Sequence, residues 1–147
     1  MTSLLVTALV VHILLGVAAI GLVYFVLIQT LKRTPDWEWS RNLSMWATVL
    51  FFISWISAAY YYVAYYGSAV KPVIKAGEYP WAHAVFMEGK EHIFILIPFL
   101  TVTLALALHS RNENPKLKTA IVALAATIVV LGIFVTLSGV VVSGAAR

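Results

Sequence analysis

Four apolar runs, at about residues 4–31, 43–66, 84–109 and 119–142, are what most restrict how this 147-residue chain can fold. A bilayer core of about 30 Å takes roughly 20 residues of helix at 1.5 Å each, and every run meets or approaches that length. The charges agree with this. Only 11% of residues are charged and 62% are hydrophobic, against roughly 25% and 45–50% in a water-soluble domain, so a cytosolic globule is excluded. The ten Lys and Arg and six Asp and Glu cluster mainly between the runs. The net charge of +4 therefore reads as membrane topology, not as a nucleic-acid surface, which would need a basic face on a soluble element. With no cysteine in the chain, disulfides, iron–sulfur clusters, thiolate metal sites and covalent c-type haem attachment are all excluded.

Three connections separate the runs, 32–42, 67–83 and 110–118. Pro35 and Pro115 punctuate the first and last, and Pro72, Gly77 and Pro80 make the middle one irregular. The first run is too long for a signal-peptide core and lacks a positive leader, so it reads as retained. The expected fold is all-α: an integral-membrane, up-down-up-down four-helix bundle forming a single transmembrane domain. Six cations, Lys32, Arg33, Arg41, Arg111, Lys116 and Lys118, fall on one side against Lys71, Lys75, Lys90 and Arg147 on the other. The positive-inside rule then puts the first and third connections in the cytoplasm and both termini outside, in the plasma (inner) membrane of a prokaryote. Trp37, Trp39 and Trp46 at one end, and Tyr60 to Tyr62, Tyr65, Tyr66, Tyr79 and Trp81 at the other, fit the two interfacial aromatic belts.

Ionisable groups within a span cost about 2.5–3.5 kcal/mol each, so they usually have a partner or a task. His12 lies in the first span, and Glu88, Lys90, Glu91 and His92 open the third. After His92 the helix has about 24 Å left before His109, short of a crossing: either the bilayer is locally thin or His92 lies within its outer third, at nearly the depth of His12. On the helical wheel Glu88 lies about 40° from His92 and Lys90 about 160° away. Glu88 and His92 are therefore expected to face inward, followed by Ile95, Phe99 and Thr103, with Lys90 snorkelling outward. Around His12 the small residues Ala8, Gly16 and Ala19 leave room for something flat and wide. Ser54, Ser57, Tyr61 and Tyr65 form a polar stripe on the second span, whereas Gly132, Thr136, Gly139 and Ser143 form a close-packing face on the fourth. His83 reads as an interfacial loop residue and His109 as a solvated helix end.

Histidines from two helices at one depth can supply both axial ligands of a b-type haem, here His12 and His92, with Gly16 beside the ring and Tyr61 and Lys90 near the propionates. The histidine supply allows one haem b, since the other end has only His109, with Met45 near it. The first span, through His12, Ile13, Leu14, Leu15 and Gly16, resembles the first helix of the copper-resistance D family, and the architecture resembles small integral-membrane b-type cytochromes. That resemblance implies membrane electron transfer, linked to a quinone or a redox partner protein, with His12 and His92 as ligands. The sequence departs from the diheme cytochromes in lacking a second histidine pair.

Two other readings stand beside this one. Glu88, Glu91, His83, His12 and His92 form a carboxylate–imidazole set able to hold copper, iron or zinc, although methionine occurs only at Met1, Met45 and Met87, too few for a Met-rich Cu(I) relay. Alternatively the chain is an accessory subunit, packing in the lipid bilayer as a homo-oligomer or within a larger respiratory or transport complex. No phosphate-binding glycine loop, nucleophile triad or His-Glu-x-x-His is present. The chain therefore reads as an electron carrier or oxidoreductase subunit in preference to a hydrolase.

Overall fold

The computed structural model describes residues 2–111, 114 and 116–146. Met1, Pro115 and Arg147, used in the reading above, lie outside them. The described residues are helical almost throughout and contain no strand. In chain order they form α1 (Ser3–Leu31), α2 (Trp37–Tyr61), a π-helical segment (Tyr62–Val70), α3 (Lys71–Ala76), a second π-helical segment (Ala82–Met87), α4 (Glu88–Ser110) and α5 (Leu117–Ala145).

Among the described residues, four continuous helical stretches are long and apolar enough to cross a membrane: Ser3–Leu31, Trp37–Ala76, Ala82–Ser110 and Leu117–Ala145. The second starts earlier than its apolar run because Asp36, in an extended conformation, caps it by accepting the Trp39 N–H at 2.9 Å. Asp36→Ala should lower stability by about 1 kcal/mol in detergent unfolding followed by circular dichroism, with Asp36→Asn close to wild type. Equal loss in both variants would assign the effect to charge instead of capping.

That second stretch also ends later than expected. The Lys71 N–H bonds to the Tyr66 carbonyl, five residues back, and the helix widens without breaking. Pro72 sits in the first turn of α3, where a missing N–H is tolerated. The irregular connection expected over 67–83 is therefore mostly helix, and only residues 77–81 join α3 to the second π-helical segment.

Helices pack around a ring: α1 against α2 and α5, and α4 against α2 and α5. The central core combines Ala19, Val23 and Val26 of α1 with Phe51 of α2, Ile97 and Leu104 of α4, and Ile121 and Ile128 of α5. A second, smaller cluster of Tyr66, Ile74, Ala82 and Val142 closes the end of the bundle that carries the chain termini, hereafter the terminal end. Large aliphatic side chains also cover the outside, among them Leu14, Leu96, Leu106, Val130, Leu137 and Val140. Helices apolar on every face suit a lipid surround and not water. Close approach of α1 to α5 depends on Gly132, where an added Cβ would lie 2.7 Å from Ile20 Cγ1.

Candidate functional site

His12 is held from α2 by a two-way bond. Ser54 Oγ donates to the His12 backbone carbonyl at 2.8 Å, which spends the hydroxyl proton and leaves the oxygen as an acceptor. His12 Nδ1, 3.0 Å from the same oxygen, is then the N–H donor. The imidazole is thereby fixed in the tautomer whose Nε2 carries a lone pair. One turn toward the terminus, Ser57 Oγ donates to the Ala8 carbonyl at 2.6 Å. Gly16 permits this closeness, since a Cβ there would lie 3.1 Å from Ser54 Oγ. The polar stripe of the second span thus faces inward at its two serines. The small residues Ala8 and Gly16 beside His12 serve the α1–α2 seam more than they make room for a flat ligand.

On α4 the expected inward face is reversed. His92 is exposed and its Nδ1 lies 2.7 Å from the Glu88 carbonyl of its own helix; Glu88 is exposed as well. Ile95, Phe99 and Thr103 point outward with them. Lys90 points in instead, its Nζ reaching Gly139 of α5, where an added Cβ would be 3.2 Å away. The angular relations on the wheel hold, but the inward face is the opposite one. The spacing of Lys90, Phe94, Ile97, Thr101, Leu104 and Leu108, alternately four and three residues, is the stripe that the core follows. Lys90 belongs to it.

The two histidines expected as axial ligands therefore do not face one another: α4 turns His92 away from the bundle interior that His12 faces. Nor does the carboxylate–imidazole metal set assemble, for among the described residues no three His, Asp or Glu groups converge as metal ligands. His109 is exposed at its helix end, as expected.

A cavity of about 570 Å³ is what these residues do share. It lies in the terminal half between all four stretches, walled by His12, Trp55, Tyr61, Tyr62, Tyr65, Tyr66, Lys90, Glu91 and Phe94, with Gly139 and Val142 of α5. A neighbouring cavity of about 480 Å³ runs between α1 and α5 past Gly16 and Gly132. His12, Lys90 and Phe94 border both, and Phe94 meets the imidazole edge-on with centroids 5.1 Å apart.

Two charged groups meet on this wall. Among the described residues Lys90 and Glu91 form no ion pair within 4 Å, and Glu91 Oε1 is buried without a hydrogen bond. Tyr61 faces the same cavity, tilted against Tyr65.

His83 is buried on a helical segment and does not lie in a loop. It lies 1% exposed on the second π-helical segment, with Nδ1 3.0 Å from the Tyr66 hydroxyl and Nε2 3.9 Å from Glu88 Oε1. The Tyr66–His83 contact had no signal in the sequence, because it depends on two π-helical turns meeting. Comparison with family models, with curated proteins and with solved structures finds no match to this chain.

Proposed function

We propose that this chain is an integral-membrane electron-transport protein, an up-down-up-down four-helix bundle that binds a quinone-class carrier in the larger cavity. The observation that carries this reading is the convergence, on one apolar cavity, of the Lys90 ammonium, a Glu91 oxygen with no hydrogen bond and the His12 Nε2 lone pair. Unpaired charges in such a wall are costly. A quinone offsets the cost in a particular way: Lys90 donates to a carbonyl oxygen, while His12 Nε2 and Glu91 accept from the hydroxyls of the quinol form. The aromatic walls suit a flat ring, and the large aliphatics outside suit arrival through the bilayer.

A second reading is favoured by the His12 tautomer. An imidazole that donates through Nδ1 and exposes Nε2 is arranged as metal-ligating histidines are, so His12 alone is the residue to hold a haem iron or a copper, iron or zinc ion. In both readings the first and third connections face the cytoplasm, by the cation count above.

Titrating the purified protein with a short-chain benzoquinone, and following the fluorescence of Trp55 on the cavity wall, tests the first reading. Saturable quenching is expected, with affinity about tenfold weaker in His12→Ala, the equivalent of one hydrogen bond. Absence of saturable quenching in the wild type overturns it. A red protein whose Soret band disappears in His12→Ala establishes the second reading in its place.

A further inference from the structure

Glu91, Tyr66, His83 and Glu88 lie in sequence from the larger cavity to the surface of the terminal end. Glu91 and Tyr66 both line the cavity, and Glu91 presents a buried oxygen with no hydrogen bond. The Tyr66 hydroxyl meets His83 Nδ1 at 3.0 Å in a fully buried contact. On the far side of the ring, His83 Nε2 is buried and unpartnered, 3.9 Å from a carboxylate whose side chain is 57% exposed. An exposed side chain is free to change rotamer and close that gap.

Hydrogen-bond roles give the chain a direction. When Glu88 closes on Nε2 its carboxylate can only accept, so in that arrangement Nε2 carries the proton and Nδ1 accepts from the Tyr66 hydroxyl. In that arrangement Tyr66 donates to His83, whose Nε2–H faces Glu88. Both aromatic members stand on π-helical segments, whose wider turns are frequent at functional sites.

We propose that Tyr66, His83 and Glu88 form a proton path linking the ligand cavity to water at the terminal end. In one passage Tyr66 takes a proton from the Glu91 carboxyl and gives its own to His83 Nδ1. His83 releases the Nε2 proton to Glu88, and Glu88 passes it to water. One proton leaves the cavity, one appears outside, and a return of His83 to its first tautomer resets the chain. No electron moves in these steps. The charged groups acting on His83 are Lys71 and Lys75 of α3, Glu88, and Glu91; Lys90 lies beside Glu91 on the cavity wall. The path rests on the quinone reading only for its purpose, the exchange of a quinol's protons. Its existence is testable without a quinone.

Time-resolved infrared spectroscopy after a pH jump, on the full chain in detergent, reads the protonation of Glu91 through the carboxyl band that Glu91→Gln removes. Tyr66→Phe and His83→Phe, which keep the rings, should each slow that band by about a hundredfold, the lower range for a positioned proton-transfer group. Free imidazole should restore the rate in His83→Ala, which a merely structural histidine would not show. Should the His83 variants fail to fold, Glu88→Gln at the exposed end should slow the band likewise. Unchanged rates in Tyr66→Phe and Glu88→Gln, or a Glu91 band that never responds to pH, would overturn the path. Failure of quinone quenching with relay kinetics intact would overturn only the ligand.

Discussion

Replacing Lys90 with methionine is expected to make the protein more stable and less able to bind its ligand. Its ammonium lies inside the bundle against Gly139 with no ion pair among the described residues. A thioether of similar length removes an uncompensated charge while filling the same volume, a change that should raise unfolding stability by about 1–3 kcal/mol. Quinone affinity should fall by about ten- to a hundredfold, since a charge-assisted hydrogen bond is lost. Thermal unfolding in detergent and the fluorescence titration separate the two effects. A destabilised methionine variant would show that the ammonium is held by the protein for packing or pairing, and the ligand argument from unpaired charge would go with it.

The second large effect is steric. Gly132→Leu should destabilise the bundle by about 1–3 kcal/mol or more, because the first carbon of the new side chain already falls 2.7 Å from Ile20 Cγ1 and 2.9 Å from Cδ1. Ile20→Ala vacates that space. In the double variant much of the loss should return, a coupling of at least about 1 kcal/mol between directly contacting residues. Independent, additive losses would mean that α1 and α5 do not meet at this point. Gly139→Ala is the contrasting case: its nearest neighbour is the flexible end of Lys90 at 3.2 Å, which can give way, so stability should hardly change.

Helix number and apolar character were legible because they depend on length and composition alone, and four stretches of the expected kind are present. Inward and outward faces were less so. In a water-soluble helix the polar face marks the outside, but here apolar residues occupy every face, and Ile95 and Phe99 on the exposed side look no different from Phe94 and Ile97 in the core. Charge is no guide to the face either, because Glu88 and His92 stay outside while Lys90 enters the interior. Ser54 could be read as inward-facing, whereas its role in setting the His12 tautomer depends on α1 and α2 approaching within hydrogen-bond distance at Gly16. The burial of His83 was hidden for another reason. A 3.6-residue wheel loses register wherever five-residue hydrogen-bond spacing intervenes, as it does through 62–70 and 82–87.

Side-chain hydrogen bonds between helices are distributed unevenly along the seams. Ser54 and Ser57 fasten α2 to α1 at successive points, so these two helices behave as one stiff plate. Between this plate and the α4–α5 half, among the described residues, there are only two such fastenings: Tyr66 to His83 at the terminal end, and Lys118 Nζ to the Lys32 carbonyl, at 3.2 Å, at the opposite end. They sit on different seams. Cohesion between the halves therefore falls mainly to apolar packing and to close contacts such as Gly132 against Ile20, and the cavity lies where that packing is interrupted.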